Sequence, residues 1–396
     1  MTRRSVAVVA LALTAVLVLT GCSGGGAGSQ GKESAKNLPD ILIGNPQDLS
    51  STNSAYGKGI TNSAQMIFDK VNAEGGINGR KLKLVTYDVK LDVNEAINAY
   101  KRLCDQDKVV AVLAPPVSNQ VLALAPIAEE KKVPLVGPFV DDRCTNPEPG
   151  KLWNYTFIMQ QSSKQQAQAL AAYAMNELKF KKFALLYNVG NSFSVSLAKP
   201  FMEYVKANGG QIVAEETFQF GDKDFRGQLT KIKAANPDAI YLPNYPAEIP
   251  LNIQQAKDLG IKAQLLGDNV CLPFALQAGE AAEGLIFHNS IDPNDPNNQE
   301  FIKAYKERYK IDPVPQAYSG YDSAMILVEA IKLAAKEGEI TPASITRNLL
   351  NVKDMPGLQS KITLSPTTHK MIKPTVPILK IQNAQFICLT KYVSPE

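Results

Sequence analysis

Short apolar runs alternate with longer stretches of helical spacing along most of this chain. Asp40-Ile-Leu-Ile-Gly44 predicts a first strand, and Asn45 to Ser54 a polar loop. Ile60, Ala64, Ile67, Phe68 and Val71 then fall on one helical face. Gly75-Gly76 ends that helix, and Asn78-Gly79 gives a tight turn. Leu82 to Asp88 predicts a second strand. Asp92-Val-Asn-Glu95 has the form of a capping box for a helix carrying Ala96, Ile97, Tyr100 and Leu103. Val109–Leu113 reads as a buried strand, followed by a turn, a helix from Val121, and a strand over Val133–Val136. Strand, helix, strand, helix marks a parallel sheet covered on both faces. Trp153 to Met159 is expected to leave that sheet, and the pattern then repeats. Strands are predicted at 183–187, 211–218, 239–242 and 264–266, with helices between them.

The turn after Val109–Leu113 carries the most chemistry. Pro115 and Pro116 cannot extend a central strand, so the chain turns there. Ser118 is then the expected N-cap. The peptide N–H groups of Ser118 to Val121 lack helical acceptors, and the positive end of the helix dipole stands behind them. This arrangement suits an anion such as a ligand carboxylate, held without any cationic side chain.

Composition narrows the options. The chain has 396 residues and a formal net charge of +4, with no basic block. That argues against nucleic acid as a partner. Arg3 and Arg4 precede an apolar run from Val6 to Leu19, which reads as an export signal over residues 1–21. It ends in Leu19-Thr20-Gly21-Cys22, which looks like a lipobox with Cys22 as the lipidated residue. Residues 22–37 then read as a flexible tether rich in glycine and serine. The expected location is the extracytoplasmic face of the cell membrane, through a lipid anchor. Only His288 and His369 exist, and no cysteine pair has CxxC spacing. Neither an enzyme, a metal site nor a cofactor is expected. Cys104, Cys144, Cys271 and Cys388 would share an oxidising compartment, and four cysteines allow three pairings.

The run NAEGGINGRKLKLVTYD (Asn72 to Asp88), the turn with its sequel APIAEEKKVPLVGP, and the lipobox resemble the branched-chain amino-acid-binding protein family. These are substrate-binding proteins of ABC importers. The resemblance covers the chain from about Leu38 to its end. It implies an α/β fold with two doubly wound parallel-sheet lobes joined by a three-strand hinge, the type I periplasmic binding protein fold. Lobe I would comprise residues 38–157 and 289–376, and lobe II residues 158–288 and 377–396. Cys104 would then pair with Cys144, and Cys271 with Cys388, each within one lobe. Leu91 and Val117 stand where family members often have a bridged cysteine pair. The implied partners are a small-molecule ligand, an ABC permease and its ATPase subunits, with the binding protein a monomer.

In a two-lobed α/β binder the ligand lies at the carboxyl ends of the strands. The candidate ligand groups are therefore Tyr56, Ser118, Asn119, Val140 and Asp141 from the first lobe. Phe193, Tyr245, Asp268 and Asn269 come from the second. Ser118 matches the family's carboxylate-binding serine. Tyr56 matches an aromatic beside the cleft, or else staples its own helix. Tyr245 matches a pocket wall. Phe193 stands where the family usually has a tyrosine, so a hydroxyl is missing. Two departures concern the ligand. Gly137-Pro-Phe-Val-Asp141 carries an acid where amino-acid binders have a hydroxyl. Asn269 stands closest to the acid that meets an α-ammonium. Asp141 or Asp268 could supply that charge instead. The ligand would thus be an amino acid, an amide or another small polar molecule. Capture for import is the leading function; a surface sensor of the same fold is the alternative.

Overall fold

The computed structural model describes residues 38–394. Cys22, the expected export signal and the expected tether lie outside these residues. The first sheet begins with β1 (Ile41–Gln47), α1 (Ser54–Ala73), β2 (Leu82–Asp88) and α2 (Val93–Asp105). β3 (Ala111–Leu113), α3 (Ser118–Lys131), β4 (Leu135–Gly137) and β5 (Thr156–Ile158) complete it. Its strands run in the order β2-β1-β3-β4-β5, all parallel. Every residue of β3, β4 and β5 is buried, which fits strands covered on both faces.

The second series is α4 (Ser163–Asn176), β6 (Lys182–Asn188), α5 (Ser192–Ala207), β7 (Gln211–Phe218) and α6 (Arg226–Ala234). It continues with β8 (Ala239–Leu242), α7 (Ile249–Asp258), β9 (Gln264–Gly267), α8 (Cys271–Phe274) and β10 (Ile286–His288). Helices α9 (Gln299–Tyr309), α10 (Pro315–Lys336) and α11 (Pro342–Leu349) follow. Last come a small hairpin of β11 (Met355–Pro356) and β12 (Lys361–Ile362), then β13 (Thr375–Gln382) and β14 (Gln385–Val393). The second sheet has the order β14-β13-β10-β9-β8-β6-β7. Its strands from β10 to β7 are parallel, and the β13–β14 hairpin adds an antiparallel edge. Two doubly wound lobes result, as the resemblance implied.

Several expectations need correction. Trp153 to Met159 does not simply leave the first sheet, because Thr156–Ile158 is its edge strand. The strand at Val109 begins at Ala111, and the one at Val133 begins at Leu135, beyond Pro134. Asp92 caps α2 by accepting the Glu95 N–H at 2.9 Å. α4 carries a full capping box, Ser162 with Gln165, that the sequence reading missed.

The chain passes between the sheets three times: after β5, after β10 and before β13. Gln161, fully buried in the first crossing, stitches the other two. Its Nε2 donates to the Ser290 carbonyl at 3.2 Å and to the Thr375 carbonyl at 2.6 Å.

Helices α1 and α10 approach closely near their starts. A Cβ on Gly320 would lie 2.7 Å from Ile60 Cα, and one on Gly59 would lie 2.8 Å from Val314 Cγ2. Glycine at both positions allows this contact. It brings the first turn of α1, with Tyr56, beside the first turn of α10, with Gln316.

The four cysteines are free thiols, so the expected Cys104–Cys144 and Cys271–Cys388 pairings are not formed. The fold explains why. Cys144 Sγ lies 3.8 Å from the Ser118 carbonyl, at the start of α3. Cys104 lies beside Lys131, at its end. A helix of 14 residues separates these ends by roughly 20 Å. Cys388 sits on β14, and Cys271 follows β9, three strand spacings away, or roughly 14 Å. A disulfide needs Cα atoms within about 7 Å.

Candidate functional site

The loops after the parallel strands converge on a cavity between the two sheets. Asn53 and Tyr56 reach it after β1, Pro116 and Val117 after β3, Pro138 and Val140 after β4, and Gln160 after β5. From the second sheet come Phe193 after β6, Tyr245 after β8, and Asn269 and Val270 after β9. Gln316 enters from the start of α10. The cavity leaves about 30 Å³ to the centres of water molecules, so the walls are nearly closed on each other. Phe193 and Tyr245 pack at 5.4 Å between ring centroids, and Tyr56 meets Phe274 edge to face at 5.9 Å.

Several polar atoms of this lining lack partners among the described residues. Tyr56 Oη, Gln160 Nε2, Asn269 Oδ1 and Gln316 Oε1 are all buried without a hydrogen bond. So are Ser118 Oγ and Asp268 Oδ2, each one residue from a lining residue. Buried polar groups normally find partners, because leaving one bare costs about 1–3 kcal/mol. Six such atoms gather at this one cavity, where a polar ligand would bond them. No lysine, arginine or histidine lines it.

Asp268 is fully buried, and one carboxylate oxygen accepts the Val270 N–H at 2.7 Å. Burial pushes its pKa well up, against that hydrogen bond. Burial also raises Tyr56, and the nearby Asp268 raises it further. A cation arriving beside Asp268 would favour its charged form.

The turn after β3 differs from expectation. Ser118 is the first residue of α3 and not its cap; Val117 occupies the cap position with no side-chain bond. The N–H groups of Gln120 and Val121 are taken by the Val117 carbonyl at 3.0 and 3.2 Å. Only the N–H groups of Ser118 and Asn119 stay open toward a ligand. The anion site is thus half the size that the sequence suggested, and the Ser118 hydroxyl faces inward, freed from capping.

Two candidates stand elsewhere. Asn119 does not line this cavity; its Oδ1 accepts the Ser192 N–H at 3.2 Å across the lobes. Asp141 is buried but paired, taking both arms of Arg143 at 3.0 and 2.6 Å. It lines a larger cavity of about 710 Å³ with Arg143, Lys199 and Lys370. Asp142, beside it, accepts from Lys370 and from Ser163 Oγ at 3.2 Å. The acids of that larger space are already neutralised, whereas the smaller cavity has bare polar atoms. Of the two acids, Asp141 is paired with Arg143, while Asp268 keeps one oxygen without a partner among the described residues.

Asn53, Gln160 and Gln316 escaped the sequence reading. Gln160 follows a strand end, the same signal that found Tyr245, and was lost when β5 was assigned outside the sheet. Gln316 carries no local signal, since only the packing of α10 on α1 brings it in.

Residues 40–385 match the model of a family described as periplasmic binding protein. A Leu/Ile/Val-binding protein, BraC3 of Rhizobium johnstonii, is 26% identical over 333 residues, which cover 83% of this chain and 88% of that one. An amino acid binding protein of Pseudomonas aeruginosa is 27% identical over 296 residues, covering 73% of this chain and 77% of that one. Among solved structures, the leucine binding protein LivK of Thermotoga maritima superposes with a TM-score of 0.79 at 27% identity, covering 90% of this chain and 99% of that one. The branched-chain amino acid transporter substrate binding protein LivJ of Streptococcus pneumoniae, in complex with isoleucine, gives 0.79 at 29% identity, covering 89% of this chain and 99% of that one. With a family match across most of its length and strand-end loops of both sheets closing on one cavity, the chain belongs to the periplasmic binding protein family.

Proposed function

We propose that this chain is the extracytoplasmic solute-binding lipoprotein of an ABC importer, and that it captures a small amino acid or related polar molecule between its lobes. The observation that carries this reading is the set of bare polar atoms around the cavity at the strand ends. Ser118 Oγ with the N–H groups of Ser118 and Asn119 would take the carboxylate. Asp268 and Asn269 would meet the ammonium. Tyr56, Val140, Phe193 and Tyr245 would wall the ligand. Residues 38–157 with 289–376 would move as one lobe, and 158–288 with 377–396 as the other. Contacts made only in the closed form would let the ligand favour closure. A permease with its ATPase subunits would then receive the closed, lipid-tethered monomer. The relatives named for leucine, isoleucine and valine support the amino-acid class.

The test is native mass spectrometry of the purified chain, followed by thermal melts with amino acids, amides and small carboxylates. A bound small molecule and a raised melting temperature are expected by linkage. A melting temperature unmoved by any member of the panel would overturn the reading.

A further inference from the structure

Resting on the binding role proposed above, we infer that Gln160 and Gln316 form a polar subsite that selects a ligand side chain ending in an uncharged carboxamide over a branched hydrocarbon. Both glutamines line the cavity and are buried, at 1% and 6% exposure. Gln160 Oε1 lies 3.2 Å from the Ser319 hydroxyl, whose one proton it shares with Gln359 Oε1 at the same distance, and its Nε2 has no acceptor among the described residues. Ser319 stands three residues after Gln316 on α10, on the same helix face, so the two amides are neighbours. Gln316 Oε1 has no donor. The subsite therefore offers one unsatisfied donor and one unsatisfied acceptor. A hydrocarbon placed there would seal both away from water without replacement. A carboxamide supplies one acceptor and two donors, and it satisfies the pair whichever way the glutamine amides are turned. A charged side chain would find no counter-ion at this end, since neither a basic nor an acidic residue is among the described residues that line the cavity. Asn53 adds a third amide: it precedes α1 but makes no side-chain capping bond.

The test is calorimetric titration of the full chain with asparagine, glutamine, leucine and valine. Asparagine and leucine are nearly isosteric, so their comparison isolates the amide. The wild-type chain should bind asparagine or glutamine at least about tenfold more tightly than leucine, because a site built to bond a polar group rejects the analogue lacking it. Gln160→Met and Gln316→Met should each shrink that ratio several-fold while keeping side-chain volume. Leucine bound as tightly as either amide by the wild-type chain overturns the subsite and leaves the binding role intact. Failure of all four amino acids to bind overturns the subsite, and the binding role is then decided by the wider panel of thermal melts. Should a variant not fold, as circular dichroism would reveal, the wild-type ratio alone decides.

Discussion

Asn119 Oδ1 accepts the backbone N–H of Ser192 at 3.2 Å, so the first turn of α3 satisfies a donor at the first turn of α5 in the other lobe. Ser192 opens α5, where the leading N–H groups have no helical acceptor. This bond exists only while the lobes are together. Asn119→Ala should therefore favour the open form and weaken ligand binding about 3- to 10-fold, for one hydrogen bond of about 1 kcal/mol. Its melting temperature without ligand should hardly change. Titration calorimetry and small-angle scattering of the unliganded chain check this. An unchanged affinity would mean the bond has no part in closure.

Ser118 gives the converse case, a hydroxyl that the protein itself does not use. Its Oγ is buried with no partner among the described residues. Ser118→Ala should leave stability unchanged or slightly improved, since a bare buried hydroxyl is removed. Ligand affinity should fall by about tenfold, as expected for a lost bond to a charged group. Calorimetry and thermal melts run together separate these effects; equal affinity would take Ser118 out of the site.

Much of this site was legible along the chain because strand ends are local features. An apolar run followed by a polar or aromatic turn marks Tyr56, Val140, Phe193, Tyr245 and Asn269, and all five line the cavity. What failed depends on distance. Asp141 looked available until Arg143, two residues on, folded back onto it. The Asn119 side chain reaches across to the opposite lobe, which leaves only its N–H near the cavity. The cysteine pairs failed because sharing a lobe says nothing about which end of a helix or which strand a thiol occupies.

That last point yields a direct measurement. Cys104, Cys144, Cys271 and Cys388 should all titrate as thiols in denaturant without reductant, and peptide mapping should find no linked pair among them. In the folded chain Cys144 and Cys271 should resist alkylation near neutral pH, because burial raises both thiol pKa values well above the ordinary range. A cross-linked Cys104–Cys144 or Cys271–Cys388 peptide would contradict the fold described here.

Asp268 should show a conflict between stability and binding. Its folded pKa is raised by burial, so the folded state prefers the protonated acid. The stability this gives is present below the unfolded value near 4 and is lost as pH rises through the folded one. Asp268→Asn keeps an acceptor for the Val270 N–H and removes the buried charge. The unliganded variant should be more stable than wild type at pH 7 by about 1–3 kcal/mol, with the gap closing toward pH 4. Binding of an amino acid should weaken at least about tenfold, because the ammonium loses its counter-charge. Stabilisation without loss of affinity would place the ammonium elsewhere.

His288 gives the opposite sign. It ends β10 beside the second crossing, fully buried, with Nε2 3.0 Å from the Tyr241 hydroxyl and Nδ1 without a partner. Burial holds its pKa down to about 3, so the imidazole stays neutral in the fold. The unfolded chain takes up the proton near pH 6.5, and the folded chain does not until about pH 3. The histidine's stabilising share is therefore complete above pH 6.5 and drains away as pH falls toward 3. His288→Gln preserves a partner for Tyr241 and has no proton to gain. Wild type minus variant, measured by urea unfolding between pH 7.5 and 4, should decline by a few kcal/mol. A difference that stays flat across that window would mean His288 is reached by water or already charged in the folded state.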